Sequence, residues 1–255
     1  MRIKRQELIE IWHQEERRPF VGWDFSYLDS RMIEEQAPWS YSSLAARLMS
    51  EAAAVLDLGT GGGERLLKLK KHWPKQVVVT EEYPPNFKLA QERLTPFGVS
   101  VFNVRLTNSD LMPFDDNEFD LVLNRHSSFN TAEVARILVK DGTFLTQQVH
   151  GLWVHDLLAA FGSKPQWPYS TPAFYVPKLE SSGLTIDLVQ EWQGKLIFTD
   201  VGAIVYYLKA VPWLVPGFSV ETHLDHLFEL QSLLDSGQEL TFEAKKYLIK
   251  ARKKS

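Results

Sequence analysis

Two carboxylates flank a run of glycines in this 255-residue chain. Asp57 stands two residues before Gly59-Thr60-Gly61-Gly62-Gly63, and Glu81 follows 22 residues after Gly59. Glycines at a strand-to-helix turn let the backbone approach a ligand closely, and the helix beyond offers unpaired N–H groups. An acid at the tip of the following strand is in position to accept both hydroxyls of a ribose. The pattern predicts a nucleotide-like ligand with its sugar on Glu81, or on the adjacent Glu82. The nicotinamide-type spacing G-x-G-x-x-G is absent, because Glu64 and Leu66 stand where its last glycine would be needed. No G-K-[ST] follows either, so a phosphate-cradling loop is not supported.

The elements that must position these residues alternate. Ala53 to Leu58 is an apolar run broken only by Asp57, as expected for a strand buried on both faces. Further strands are expected at Gln76 to Thr80, Ser100 to Val104, Phe119 to Asn124, Thr143 to Val149, Leu184 to Gln193 and Leu240 to Ala251. Between and around them helices are expected at Arg5 to Arg17, Ser42 to Ser50, Glu64 to His72, Pro85 to Leu94 and Thr131 to Val139. Beyond Val149 the expected helices are Tyr175 to Ser182, with Pro177 in its first turn, Asp200 to Ala210 and Val220 to Leu234. Short apolar strands alternating with helices predict an α/β fold, a parallel sheet covered on both sides. The chain reads as a single domain over residues 1–255: an N-terminal helical region (1–50), a ligand-binding core (53–149) and a substrate-facing remainder (150–255).

Composition narrows the chemistry. Lys and Arg total 28 against 32 Asp and Glu, a net charge of −4, which argues against a general affinity for phosphate backbones. The chain contains no cysteine, which removes disulfides, thiolate metal sites and attack by a thiolate. The first 20 residues lack a signal-peptide core, and Val201 to Val215 is too short and too interrupted to span a bilayer, so a cytoplasmic protein without a membrane segment is expected. His223 and His226 share a helix face, but no third ligand is evident and no metal is expected.

From Asp57-Leu58-Gly59-Thr60-Gly61-Gly62-Gly63, Glu81, Leu111-Met112-Pro113-Phe114 and Phe119-Asp120-Leu121-Val122, the chain resembles the class I S-adenosylmethionine-dependent methyltransferases, especially the subgroup related to quinone-biosynthesis enzymes. The resemblance covers about Ala53 to Val149. It implies a Rossmann-like doubly wound sheet, with N-terminal helices and a helical insertion before the last strand. It also implies S-adenosyl-L-methionine as cofactor, its amino-acid part along Gly59 to Gly63, its ribose on Glu81, and its adenine beside Asn108-Ser109-Asp110, with either Asn108 or Asp110 facing the amino group. Asn124 would help hold the cofactor's ammonium through its backbone carbonyl. Relatives that methylate exocyclic amines of bases or glutamine commonly carry Asn/Asp-Pro-Pro-aromatic after the fourth strand, and Asn124-Arg125-His126-Ser127 lacks it.

In an open parallel sheet ligands bind beyond the carboxyl ends of the strands. There His126 could act as a base near neutral pH or shape its loop, and Arg125 could orient an acidic acceptor or pair with a neighbouring carboxylate. Gln147 and Gln148 point to opposite sides of a regular strand, so one can face a pocket. Trp23, Tyr27, Tyr206, Tyr207 and Trp213 could form an aromatic lid that selects the substrate, or pack as core beneath a loop. Arg31 could reach the cofactor carboxylate or remain solvated. The expected reaction is methyl transfer to a small molecule bearing an O, N or C nucleophile. The rivals are an RNA methyltransferase and a non-catalytic S-adenosylmethionine-binding module.

Overall fold

The computed structural model describes residues 5–105 and 111–254. Its elements in chain order are α1 (Arg5–Arg17), β1 (Met32–Glu34), α2 (Tyr41–Glu51), β2 (Ala54–Leu58), α3 (Glu64–Lys68), β3 (Gln76–Thr80), α4 (Pro84–Leu94), β4 (Ser100–Phe102) and β5 (Phe119–Arg125). Then follow α5 (Thr131–Ile137), β6 (Leu138–Val149), α6 (His155–Ala160), α7 (Pro172–Ser181), β7 (Leu184–Phe198), α8 (Val201–Ala210), α9 (Leu224–Asp235) and β8 (Leu240–Lys253). One eight-stranded sheet runs in the order β1-β7-β8-β6-β5-β2-β3-β4. The block β6-β5-β2-β3-β4 is parallel, β8 lies antiparallel between β6 and β7, and β1 is antiparallel to β7. The strand order reverses beside β2, whose neighbours are β3 and β5, which places the switch point at the glycine turn.

Period-two alternation sorts the strand side chains between two layers. On one face Val55, Val77, Val79, Leu121, Leu123, Leu145 and Leu248 pack against α2, α3 and α4 through Ala45, Met49, Leu66, Ala90 and Leu94. On the other, Leu56, Leu58, Val78, Val122, Phe144 and Ile249 pack against α5 and α7 through Val134, Ile137 and Leu179. A third cluster joins α1, α6, α8 and α9 to the far end of β7 and β8, with Trp12, Phe198, Ile204 and Leu227 fully enclosed. No helix among the described residues is long and apolar enough to cross a membrane.

Four expectations need correction. The N-terminal region is not purely helical: β1 pairs with Leu196 to Phe198 at the sheet edge. β7 continues to Phe198, because the start of β8 and all of β1 pair with its second half. α7 starts at Pro172, capped by the Thr171 hydroxyl, so Pro177 sits inside the helix and not in its first turn. α6 was not foreseen. It is entered through Val154 at φ 45°, a conformation β-branched residues disfavour, and no side chain caps it.

Candidate active site

The turn after β2 is built backbone to backbone. Gly59 and Gly61 take φ values of 69° and 65°, which a side chain would make costly. A methyl group added at Gly59 would also lie 2.4 Å from Ser127 Cβ and Oγ. Thr60 N–H donates to the Thr80 carbonyl at 2.9 Å and Gly59 N–H to Thr80 Oγ1 at 3.2 Å, tying the turn to the tip of β3. Glu81 completes it: Oε2 accepts from Gly61 N–H at 2.8 Å and Oε1 from Tyr83 N–H at 2.9 Å. Burial raises the Glu81 pKa, opposed by these backbone donors. Each carboxylate oxygen keeps a lone pair for a further donor, so Glu81 is pre-oriented as a diol acceptor.

The face that carries Val55 also carries Asp57, and each neighbouring column on it ends in a polar side chain. Leu121 and Leu123 lead to Arg125, Leu145 leads to Gln147, and Leu248 faces the same way as Lys246. These ends open into a hollow of about 360 Å³ walled by Glu34, Trp39, Tyr41, Arg65, Arg125, Gln147 and Lys246. Lys246 pairs with Glu34, and Glu35 accepts from Lys195 N–H at 3.0 Å. Arg65 donates to Ser42 Oγ at 3.3 Å. Neither Arg65 nor Arg125 forms an ion pair among the described residues, and Arg125 Nε and the Tyr41 hydroxyl are buried without partners there. Burial, with the neighbouring Arg65 charge, brings Arg125 down to about 10. Asp57 is pushed up to about 6 by burial, against the pull of Thr60, Arg65 and Arg125.

His126, at φ 63°, lies beside this hollow with Nε2 3.0 Å from Gln147 Nε2. Trp39 Nε1–H can only donate, and it donates to Gln147 Oε1 at 2.8 Å, so the amide presents N–H to the imidazole. His126 Nε2 is therefore an acceptor and its proton sits on Nδ1. Desolvation of the ring and the positive field of Arg125, Lys246 and Arg65 hold it well below the ordinary imidazole pKa, although the residue keeps solvent contact. On the opposite face Gln148 donates to Asn124 Oδ1 and to the Ser127 carbonyl at 3.0 Å, and Thr146 Oγ1 donates to Asn124 Oδ1 at 2.8 Å. That network fixes the bend after β5.

The structure thus brings Asp57, Gly59, Thr60, Gly61, Gly63, Glu81, Asn124, Arg125, His126 and Gln147 to one end of the sheet. Asn108, Ser109 and Asp110 lie outside the described residues. The aromatic residues divide. Trp23 covers the glycine turn, with Cδ1 3.1 Å from where a Gly61 methyl would be, and Trp213 packs on it at 5.7 Å between ring centroids. Tyr206 and Tyr207 are 3% and 6% exposed within α8, the Tyr207 hydroxyl accepts from Trp153, and Tyr27 donates to Glu15 at 3.0 Å. None of the three is among the residues that wall the hollow; Tyr206 and Tyr207 are core, whereas Tyr27 is half-buried against Tyr206 and beneath Arg18. Arg31 makes a two-point pair with Asp200, at 2.9 and 2.7 Å, and a second pair with Glu15. It fastens the N-terminal segment to the start of α8 and is not turned to the glycine loop. Trp39, Tyr41, Arg65 and Lys246 were not foreseen. The face that the β8 column presents finds Lys246; Trp39, Tyr41 and Arg65 come from a loop and the starts of α2 and α3, and no local motif marks them.

A family model for a methyltransferase domain matches residues 56–146, from β2 to β6. The chain is 33% identical over 134 residues to the release factor glutamine methyltransferase of Geobacter sulfurreducens; the alignment covers 52% of this chain and 45% of that protein, so it spans less than half of this curated relative. Residues 56–146 therefore carry a methyltransferase domain. The fold agrees: the YcgJ protein of Bacillus subtilis superposes with a TM-score of 0.59 at 19% identity, over 84% of this chain and 98% of that one. An S-adenosylmethionine-dependent methyltransferase from Mesorhizobium loti gives 0.51 at 16%, over 84% and 98%. The residues at this end of the sheet fit S-adenosylmethionine. A ribose diol suits the two held oxygens of Glu81, and a ligand carrying sulfonium and ammonium charges suits a turn flanked by two buried carboxylates.

Proposed function

We propose that this chain transfers a methyl group from S-adenosyl-L-methionine to a small-molecule acceptor seated in the hollow beside Arg125 and Gln147. The observation that carries the reading is adjacency: the Glu81-clamped turn and the hollow share the carboxyl end of β2 and β5, so cofactor and acceptor can meet there. When bound, the cofactor supplies a methyl carbon on a sulfonium, open to in-line displacement. The chain's own work is alignment and exclusion of water, the terms that dominate such a transfer. Glu81 takes the ribose hydroxyls, Asp57 as carboxylate offsets the positive charge nearby, and Asn124, held by Thr146 and Gln148, keeps the backbone after β5 in place for the ammonium. Trp23 and Trp213 shield the turn. Gln147, fixed by Trp39 and His126, lines the acceptor side.

His126 orients this amide through Nε2, so that nitrogen is occupied and the acceptor brings its own nucleophilic lone pair. A glutamine acceptor, as in the name of the Geobacter relative, is less well supported, since Arg125-His126 stands where relatives of that type carry Pro-Pro. RNA is disfavoured by the net charge of −4. Room for an acceptor beside the turn supports an enzyme over a pure binding module. The lack of cysteine agrees with a cytoplasmic setting. Calorimetric titration with S-adenosylmethionine and S-adenosylhomocysteine, followed by an acceptor screen read by release of S-adenosylhomocysteine, tests the proposal. Binding of both and turnover of a small acceptor are expected; binding of neither, or of NAD instead, overturns it.

A further inference from the structure

The hollow presents more positive charge than it neutralises. Three cations line it, Arg65, Arg125 and Lys246, and among the described residues only Lys246 is paired with a carboxylate, that of Glu34. The other nearby acid on its wall, Glu35, is taken up by the backbone of β7. Arg125 is largely withdrawn from water, its Nε has no acceptor among the described residues, and it feels the like charge of Arg65. Asp57 and Glu34 lie near these guanidiniums without pairing with them, so hydrogen-bonding capacity is left over, and an anion placed between them would take it up through charge-assisted hydrogen bonds. Asp57 fills this role only in part: it attracts both arginines from a distance and makes no ion pair among the described residues.

Extent argues for an acceptor as the source of that anion. β2, β5, β6 and β8 lie side by side, so the rim from Asp57 to Lys246 crosses three gaps, about 14 Å at ~4.8 Å each. A cofactor seated on the β2 turn covers only one end of it.

We propose that the acceptor is anchored by an anionic group, a carboxylate or a phosphate, between Arg65 and Arg125, with the remainder lying toward Trp39, Gln147 and Lys246. This rests on the methyltransferase reading above. The test is calorimetry on the full chain saturated with S-adenosylhomocysteine, using matched probes: benzoate against benzamide, and phenyl phosphate against phenol. At least one anion is expected to bind fivefold or more tightly than its neutral partner, and the pair that does so identifies carboxylate or phosphate. Arg125→Gln and Arg65→Gln should each bring the preference below fivefold, Arg125→Lys should keep part of it, and S-adenosylhomocysteine affinity should stay within threefold in all three. Arg65 begins an exposed helix turn, so its variant is informative even where an Arg125 variant folds poorly. Anions and neutral partners binding alike, or a preference that survives both glutamine variants, overturns the proposal. So does an Arg125→Gln protein that loses S-adenosylhomocysteine but keeps 5′-methylthioadenosine, since that gives the arginines to the cofactor's own carboxylate. A chain that binds no S-adenosylhomocysteine overturns the methyltransferase reading instead, and the same probe pairs on the unliganded chain then decide the anion site separately.

Discussion

The cofactor half and the acceptor half of the sheet are built by different rules. From β2 to β5 every contact that shapes the site is made between neighbouring parallel strands and the turns that leave them: Thr60 on Thr80, Gly61 on Glu81, Gly59 against Ser127. The acceptor wall is assembled from segments far apart in sequence. Glu34 meets Lys246, Trp39 meets Gln147 and Arg31 meets Asp200, separations of 212, 108 and 169 residues. The first region is held by backbone geometry, the second by side-chain pairs across the antiparallel strands. Damage to the first should therefore cost affinity for the cofactor, and damage to the second should cost stability or acceptor binding.

The largest expected effect is on the first. Glu81→Ala removes the acceptor for Gly61 N–H together with the ribose contacts, and S-adenosylhomocysteine affinity should fall about 100-fold, as for the loss of two hydrogen bonds to a charged group. Calorimetry reads this directly; affinity within threefold of the parent contradicts the ribose role. Arg31→Ala strikes the second region. It strands Glu15 and Asp200, and because the pair is partly solvated the loss should be about 2 kcal/mol, a fall in melting temperature of roughly 4–8 °C. Cofactor affinity should be unchanged within twofold, and a larger drop would show that the two halves are coupled.

A smaller effect follows pH. Asp57 in the unliganded chain titrates near 6, above its ordinary range, so the folded protein holds this proton to higher pH than the unfolded chain does. Its contribution to stability is present below about pH 4 and is lost as pH rises through 6. A cationic cofactor prefers the carboxylate, so its affinity should rise about tenfold from pH 5 to pH 7 and then level off. Titrations at pH 5, 6, 7 and 8 check this, and Asp57→Asn should flatten the curve. Least of all, His126→Asn should lower turnover by less than fivefold with no change in the pH profile near 6.5. A loss above 100-fold would restore the imidazole as a base.

What the sequence disclosed follows the same division. Asp57, the glycine run and Glu81 were legible because spacing alone places them: a strand, a turn and the tip of the next strand. Arg65 and Lys246 were not, because they meet only where the first turn of α3 faces the same side as the β8 column, and β8 reaches that side only by inserting antiparallel between β6 and β7. Tyr206 and Tyr207 were drawn to the substrate by their aromatic character, yet α8 is enclosed on nearly every side and gives them no opening. β1 had no local signal at three residues, and it exists because β7 extends far enough to meet it.

The ties from residues 31 and 34 to residues 200 and 246 also bear on how the molecule comes into being. During synthesis the turn after β2 can close on Thr80 and Glu81 once β3 has emerged, whereas the opposing wall must wait for β8 to slot in beside β6. Since β8 also supplies Leu248 and Ile249 to the two core layers, that late insertion completes the packing of the whole sheet and not of one wall alone.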